Sequence, residues 1–391
     1  MTAHPSRSPG GAAATPGTFE SIGDSEAPTI EALLETWDGV GVVVRRDDPT
    51  GAWIFVVLDD DTLGPPTGGC RMKVYPTPAD GLADGLRLAR EMTYKWAAMD
   101  FPFGGGKSVL AVPRALQGEE RRGLLLRFGE LLNSLGGRYG TGADLGTNAD
   151  DMRTIAEVTP YVIGVHGRDR GPMDPSPFTA LGVFEGIRAC VDHRFGSPDL
   201  SGRRIMVEGV GAVGEPLARH LVEAGASVVV ADLDEDTARR VAGDVEGDVV
   251  PLPSVPSTPC DVYAPCAVGA TLNASTIPRL QCGIVAGAAN NQLDTPDDAD
   301  RLHEHGILYA PDFVVNGGGA MAFTLIYQGE ERAAELESRV RGIGPRLTEI
   351  LNEATRSGVT PWKAAHTVAE RVLARGPRSG RVSSFEDMRA R

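Results

Sequence analysis

The sequence predicts an α/β protein of two domains, the second of which contains a parallel, doubly wound sheet. Its 391 residues exceed what one hydrophobic core of ordinary size organises, so two domains are expected. From Ile205 onward, short apolar segments alternate with amphipathic helical segments. This alternation is typical of a parallel sheet that helices cover on both faces.

The first half of the chain predicts a mixture of strands and helices. Apolar, β-branched segments separated by turns rich in Asp, Pro and Gly indicate strands, and apolar residues at helical spacing indicate helices. The triple glycine at 104–106 is interpreted as a break before a short strand. The predicted strands are residues 40–45, 52–58 and 108–112, and the predicted helices are residues 79–99 and 119–135.

The second half begins with a predicted helix near 178–195, followed by a polar loop. An apolar strand at 205–208 then runs into a glycine turn, a helix that ends at Gly225, and a second buried strand, SVVVAD. Further strands are predicted within CDVYAP, GIVAGAAN and GILYAPD. The last 60 or so residues are predicted to be helices followed by a basic tail.

The glycine turn after the first of these strands has the form Gly209-Val-Gly211-Ala-Val-Gly214. A GxGxxG sequence by itself is weak, but here it follows a buried strand and opens a helix. Gly209 permits a tight turn, Gly211 lets a pyrophosphate approach the backbone, and Gly214 allows close packing of the helix. Free N–H groups at the helix start, around Ala212 and Val213, favour phosphate. The alternative is a glycine turn that binds no nucleotide.

Asp232 ends the next strand, 18 residues after Gly214. A carboxylate at this position accepts hydrogen bonds from the adenosine ribose and repels a 2′-phosphate. The second domain is therefore predicted to be a Rossmann-type NAD-binding domain, with NAD favoured over NADP.

Composition and charge exclude several classes of protein. A formal net charge of −15 argues against nucleic acid and anionic membranes as partners. No apolar run approaches the roughly 18 residues of a membrane helix, and the start of the sequence does not resemble a secretory signal. The five cysteines show no CxxC pair, so neither a zinc site nor a disulfide framework is indicated. We expect reduced thiols and a cytoplasmic location.

Two lysines and an aspartate in glycine-rich surroundings are candidates for chemistry. Lys95 and Lys107 occur within MTYKWAAMDFPFGGGKSVL, and Asp144 lies in what reads as a loop, YGTGADLGTNADDM. Burial or a neighbouring cation lowers the pKa of a lysine and makes a free amine available. Most lysines are instead solvated surface residues. A phosphate-binding P-loop is disfavoured because Phe101 occupies a position that needs glycine, and a strand follows.

At this point the sequence resembles the Glu/Leu/Phe/Val amino-acid dehydrogenases, especially the leucine, valine and phenylalanine branch. The resemblance covers residues 40–375 and rests on several ordered blocks together with the GxGxxG motif. These blocks are GGCRM, MTYKWAA, GGGKSVL, GRYGTGADLGT, PSPFTALGVFEGI, DVYAPCAVGATLN, GAANNQL and YAPDFVVNGGG.

The resemblance implies a role for each matching residue. Lys95 would bind the substrate carboxylate, Lys107 would be the catalytic base, and Asp144 would relay protons and hold Lys107. Hydride would leave the substrate Cα for NAD, and water activated by Lys107 would then release a 2-oxo acid and ammonia. The backbone at Gly69 would line the substrate site. Four further residues would lie near the nicotinamide and the substrate: Thr179, Asn290, Asn291 and Asn316.

Three positions bear on the size of the substrate. Gly142 and Ala320 stand where leucine-type enzymes carry Ala and Val, so each removes methyl groups from the expected pocket wall. Phe323, one helical turn after Ala320, stacks on an aromatic substrate or refills the space. We therefore expect an apolar, aromatic L-amino acid. The alternatives are a branched-chain substrate, and a Gly142 that only satisfies a loop dihedral.

Two other classes are weighed against this interpretation. A 2-hydroxy-acid dehydrogenase would favour a catalytic histidine, and none occurs in the diagnostic blocks. A catalytically inactive NAD-binding regulator would be indicated by loss of a lysine or of Asp144, and all three residues are present. Such enzymes are commonly homo-oligomers, which the resemblance implies here as well.

The expected organisation is a disordered arm over 1–29, an α/β substrate domain over 30–170 and the NAD-binding domain over 171–350. Residues 351–391 would be helices that pack back on the cleft, and the tail. Two departures from the family's pattern affect the mouth of the site: Cys70 in GGCR, and a longer charged turn, GRDRGPMD, at 167–174.

Overall fold

The computed structural model describes residues 29–165, 174–330, 332–378 and 382–389. The expected arm, apart from Thr29, and the charged turn, apart from Asp174, lie outside the described residues. Two separate sheets account for the strands, one formed before residue 144 and one after residue 203. This arrangement confirms the predicted two-domain α/β fold class. Among the described residues, no helix has both the length and the apolar character that crossing a bilayer requires.

The first sheet is mixed, with strand order β1-β2-β4-β3-β5. β2 runs antiparallel to both β1 and β4, whereas β3 runs parallel to β4 and β5. Its strands are β1 (Gly41–Asp47), β2 (Ala52–Asp60), β3 (Pro66–Val74), β4 (Gly104–Val112) and β5 (Gly140–Ala143), and its helices are α1 (Ile30–Glu35), α2 (Pro78–Ala98), α3 (Gly118–Ser134) and α4 (Ala149–Ala156).

The triple glycine 104–106 is not a break but the start of the fully buried strand β4, so that interpretation was wrong. The glycines are required by packing: a Cβ on Gly105 would lie 1.9 Å from Thr93 Oγ1 of α2. The strands β3 and β5 were also missed, because their glycine content is typical of turns. Asp144 consequently lies at the end of a strand and not within a free loop.

The second sheet is wholly parallel, in the order β11-β10-β9-β6-β7-β8. Counted from β6, this is the doubly wound 6-5-4-1-2-3 order of dinucleotide-binding folds. Its strands are β6 (Arg204–Glu208), β7 (Ser227–Ala231), β8 (Asp248–Val249), β9 (Val262–Pro265), β10 (Ile284–Val285) and β11 (Leu308–Tyr309). Its helices are α5 (Ser176–Phe195), α6 (Gly214–Glu223), α7 (Glu235–Asp244), α8 (Asp297–Glu304), α9 (Asp312–Val315) and α10 (Gly318–Tyr327).

The helices that follow are α11 (Ala333–Arg341), α12 (Ile343–Ser357), α13 (Pro361–Arg375) and α14 (Phe385–Arg389). The expected boundary after residue 350 falls inside α12, so it divides one continuous helix. α13 packs against α2 of the first half as well as against α12. The buried Phe385 ring contacts Phe103 and Tyr327, with ring centroids 5.8 and 5.2 Å away, and covers Gly140. The C-terminal elements thus touch both halves of the chain.

Candidate active site

The two lysines reach the same place from two elements of the first domain. Side chains alternate along a strand, so Lys107 of β4 points to the same face as Gly105, the face that α2 covers. α2 carries Lys95 near its last turn. Lys107 is buried, with 5 % of its surface exposed, and its Nζ lies 2.8 Å from Asp144 Oδ2. The structure therefore brings the three predicted residues together.

Lys95 occupies an environment that disfavours its charge. Burial lowers its pKa to about 8, and the nearby Lys107 acts in the same direction, while the Asp312 carboxylate opposes both. Its Nζ donates a 2.7 Å hydrogen bond to Asn316 Oδ1. Near neutral pH this lysine is a buried cation that a substrate carboxylate would stabilise.

Asp144 is held ionised by two cations. Burial works against the charged carboxylate, but the Lys107 ammonium and the Arg71 guanidinium outweigh it, and the pKa of Asp144 lies below its usual value. Arg71 Nε lies 2.9 Å from Asp144 Oδ2, and its Nη1 lies 2.9 Å from Asp84 Oδ2. Tyr75 donates to the same Asp84 oxygen over 2.7 Å. This network fixes the orientation of Asp144.

Arg71 and Asp312 were missed as parts of the site. Arg71 stands in the quoted block GGCRM, but its pairing with Asp144 spans 73 residues of sequence. Asp312 stands in YAPD, directly after a buried strand, and that position was the available signal. It is buried and accepts hydrogen bonds from the backbone N–H groups of Gln292 and Phe313, at 3.2 and 2.9 Å. Burial raises its pKa, and Lys95 opposes that shift.

Two glycines pair across β3 and β5 beside these charges. Gly69 pairs with Gly142 in the ladder. A Cβ on Gly69 would lie 2.6 Å from Asp144 Cβ, whereas a Cβ on Gly142 would meet only the carbonyl oxygen of Ile163, at 3.6 Å. Gly142 lies in a strand and does not have a left-handed φ, so no dihedral reason requires glycine there. It leaves open space on the face that Asp144 shares.

Phe323 of α10 approaches the same wall from the second domain. The Phe323 ring contacts Gly164, next to Ile163, and would lie 2.6 Å from a Cβ placed on Gly164. Ala320, three residues earlier on the helix, is partly buried against the central core. Residues 163–164 therefore link Gly142 to Phe323.

The glycine turn after β6 has the form that a dinucleotide needs. Gly209 has a φ of +86°, which disfavours other residues, and a Cβ on Gly214 would lie 1.8 Å from Gly209 O. A Cβ on Gly211 would meet nothing within 4 Å, so the backbone there is open to a ligand. Val213, which follows Ala212, is the residue before α6, and its side chain makes no capping hydrogen bond. The first backbone N–H groups of α6 are therefore not capped by a side chain.

Asp232 follows β7 at the same edge of the sheet. One carboxylate oxygen accepts the Val210 N–H over 2.8 Å, inside the glycine turn, and the other accepts the Asp234 N–H over 3.0 Å. The carboxylate is therefore fixed beside the turn, where a ribose hydroxyl would lie. Together with the open Gly211, this geometry fits a nicotinamide dinucleotide.

The predicted asparagines connect the two parts of the site. Asn316 Oδ1 accepts the hydrogen bond from Lys95, and Asn316 Nδ2 donates to Asn290 Oδ1 over 2.7 Å and to Ala288 O over 3.2 Å. Asn291 has a φ of +52°, and its carbonyl accepts the Ala270 N–H over 2.7 Å. Thr179 of α5 lies against Gly319, at the start of α10. A chain of polar contacts thus joins Lys95 to the carboxyl ends of the strands of the second, parallel sheet, which is called the NAD-type sheet below.

Fold and site together define a two-domain dehydrogenase, with two neighbouring lysines in the first domain and a dinucleotide-type glycine turn in the second. Residues 43–161 match the family model described as Glu/Leu/Phe/Val dehydrogenase, dimerisation domain, and residues 236–374 match Glutamate/Leucine/Phenylalanine/Valine dehydrogenase. The chain belongs to this family of NAD(P)-dependent dehydrogenases. The expectation of an oxidoreductase that acts on amino acids is confirmed.

Similar proteins fall in the predicted branch of the family. The chain is 40% identical over 349 residues to leucine dehydrogenase of Bacillus subtilis, covering 88% of this chain and 94% of that protein. It is 40% identical over 319 residues to L-tryptophan dehydrogenase of Nostoc punctiforme, covering 81% and 88%. The crystal structure of L-tryptophan dehydrogenase from that organism matches with a TM-score of 0.77 at 37% identity, covering 86% of this chain and 96% of that one.

Proposed function

We propose that the protein catalyses the NAD-dependent oxidative deamination of an apolar, preferably aromatic L-amino acid to its 2-oxo acid and ammonia, and the reverse reductive amination. The observation that carries the proposal is the convergence of Lys95, Lys107 and Asp144 in one largely buried cluster next to Asn316, with Lys107 the least exposed of the three. A cation for the carboxylate and a lysine–carboxylate pair for proton transfer are what this chemistry requires.

Each residue has a separate task in this scheme. Lys95 binds the substrate carboxylate and orients the Cα–H bond, and Asn316 holds the lysine by its hydrogen bond. In its unprotonated form, Lys107 accepts the proton of the water that attacks the imine carbon, and Asp144 exchanges that proton with Lys107 across their 2.8 Å contact. NAD, when bound, supplies the acceptor for the hydride. The residues from Gly209 to Gly214 and Asp232 would hold it, with Thr179 and Asn290 near its nicotinamide end.

The choice of NAD over NADP rests on Asp232. Both of its carboxylate oxygens accept backbone hydrogen bonds, so the negative charge is fixed beside Gly209. A 2′-phosphate at that position would meet a carboxylate that cannot move away without losing these bonds. This supports a large preference for NAD.

The aromatic preference rests on the space beside Gly142. Phe323 of α10 contacts Gly164, next to Ile163, and Ala320 precedes it by three residues on the same helix; a ring stacked on Phe323 would use that space. The similarity to L-tryptophan dehydrogenase agrees with this proposal. A branched-chain substrate is the second candidate, because leucine dehydrogenases are equally similar in sequence and the Phe323 ring itself fills part of the wall.

The test is the rate of NADH formation, followed by absorbance at alkaline pH, with Phe, Trp, Tyr, Leu, Val and Glu as substrates and NAD or NADP as cofactor. We expect kcat/KM to be higher for Phe or Trp than for Leu or Val, and negligible for Glu. NADH formation with none of the amino acids would overturn the proposed activity. A preference for Leu or Val would reject only the aromatic assignment.

A homo-oligomer is proposed from the first sheet. β1 forms one edge of that sheet and exposes Val44, and the family model that covers this region is described as a dimerisation domain. Exposed edge strands pair readily with another chain. Sedimentation of the purified protein as a monomer at micromolar concentration would reject the oligomer. The cytoplasmic location stays a prediction from the sequence.

A further inference from the structure

Two cysteines lie side by side at the amino ends of neighbouring strands of the second sheet. Val262 of β9 pairs with Ile284 of β10, and Cys260 and Cys282 each stand two residues earlier. The Cys260 N–H donates to Gln281 O over 3.0 Å, so the pairing continues back to the cysteines. Adjacent strands lie about 4.8 Å apart, within the Cα separation of about 4.4–6.8 Å found in disulfides.

The two thiols also point to the same side of the sheet. Both pack against one hydrophobic cluster, which includes Met206, Tyr263 and Val285. Both cysteines are partly exposed, in contrast to the buried Cys70 and Cys190. A small oxidant therefore has access to this pair and not to those two thiols.

The environment divides the roles of the two sulfurs. The neighbouring Cys282 side chain is the largest influence on the Cys260 thiol. Together with the Met206 backbone it lowers the pKa of Cys260, although burial opposes this shift. The same interaction, together with burial, raises the pKa of Cys282. Cys260 is accordingly the nucleophile, because the thiolate is the reactive form.

We propose that Cys260 and Cys282 are a redox modification site that forms a reversible intramolecular disulfide. The Cys260 thiolate attacks one sulfur of a low-molecular-weight disulfide, and a mixed disulfide forms as the other half leaves as a thiolate. Cys282 then gives up its proton and attacks the Cys260 sulfur, and the second half leaves as a thiol. The protein loses two protons and two electrons, and one molecule of the small disulfide is reduced to two thiols.

The site lies away from the chemistry described above. Cys260 and Cys282 lie before the amino ends of β9 and β10. The glycine turn at Gly209 follows the carboxyl end of β6, and the segment around Asn290 follows the carboxyl end of β10, so both lie at the opposite end of the strands. The disulfide would tie β9 to β10 and restrict the unfolded chain. We therefore expect a rise of several degrees in Tm and no change in steady-state turnover.

The experiment uses the full-length protein, reduced and then treated with oxidised glutathione. We expect the intact mass to fall by two hydrogen atoms, two of the five thiols to disappear on titration in denaturant, and peptide mapping to join the Cys260 and Cys282 peptides. Dithiothreitol should reverse all three changes. Retention of all five thiols in excess oxidant, or a disulfide between other cysteines, would overturn the proposal.

Single serine variants distinguish the pair from general thiol reactivity. Cys282→Ser should stop at a glutathione adduct on Cys260, because no second thiol resolves it. Cys266→Ser is the matched control: Cys266 is also partly exposed, but burial raises its pKa to about 12, and this variant should still form the disulfide. A Cys282→Ser protein that loses two thiols as the wild type does would reject the assignment. Far-ultraviolet circular dichroism checks the fold of each variant.

Discussion

Adding one methyl group at Gly142 tests the substrate pocket directly. A Cβ at this position meets only the Ile163 carbonyl oxygen, at 3.6 Å, which is an ordinary contact, so Gly142→Ala is expected to fold normally. The methyl would stand on the face of β5 that Asp144 shares, in the space assigned to the substrate side chain. It should therefore exclude part of an aromatic ring and leave a smaller side chain in place.

The size of the effect follows from the volume change. A methylene-sized change in a binding pocket is worth about 1–3 kcal/mol, a factor of roughly 10 to 200 in specificity. We expect the ratio of kcat/KM for Phe over Leu to fall by that factor in Gly142→Ala. The ratio is measured by NADH absorbance with both substrates at saturating NAD. An unchanged ratio in the variant would refute the pocket assignment and leave the dehydrogenase reaction untouched.

Gly140→Ala is the matched control in the same strand. A Cβ there would lie 2.3 Å from the Phe385 ring, so this variant should lose stability through overpacking. Its residual activity should keep the wild-type ratio of substrates. A shift in that ratio equal to the shift in Gly142→Ala would mean that any disturbance of β5 alters specificity, and that Gly142 has no special role.

Three further predictions concern the charged groups. Lys107→Ala should lower kcat by at least about 10²-fold while NADH binding persists, as expected for loss of a general base; Lys363→Ala, which removes a surface ion pair, is the control. Because the pKa of Lys95 is about 8, the Kd of a 2-oxo acid for the NADH-loaded protein should rise about tenfold per pH unit above that value, as the cation loses its proton. Fluorescence quenching measures this, and a flat profile would contradict the carboxylate role. Asp232→Ser should lower the ratio of kcat/KM for NAD over NADP at least about tenfold, or about 1.4 kcal/mol; an unchanged ratio would show that Asp232 does not discriminate between the cofactors.

The NAD-type half was predictable because its signals are local. A buried strand, a glycine turn and a helix follow one another within residues 204–223, and the order repeats along the chain. The first half was harder. β3 and β5 contain the sequences PTGGCRMKV and GTGA, in which Gly68, Gly69 and Gly140 allow close packing and Gly142 leaves space. That packing depends on residues far away in sequence, such as Phe385 opposite Gly140 of β5.

The candidate site divides in the same way. Lys95, Lys107 and Asp144 were identified because each stands in a recognisable block. The charged partners that shift the pKa values of these residues were not identified. An ion pair such as Arg71 with Asp144 joins residues that are distant in sequence and become neighbours only in the folded chain. Likewise, only the observed backbone φ of Gly142 shows that no dihedral constraint requires glycine there, so that the open space beside it can be the reason for this residue. Sequence alone left that alternative open.

The contact between Phe385 and Gly140 has a consequence for how the protein is made. The strand β5, which carries Gly142 and leads into Asp144, is covered on one side by an aromatic ring that the ribosome adds hundreds of residues later. A nascent chain that has already completed α13 still lacks this cover and the Phe385 N–H bond to Gly137 O, 2.9 Å long. The substrate side of the cleft is thus finished late in synthesis, after the whole NAD-type sheet has left the exit tunnel. Growing chains should acquire cofactor binding before they acquire catalysis.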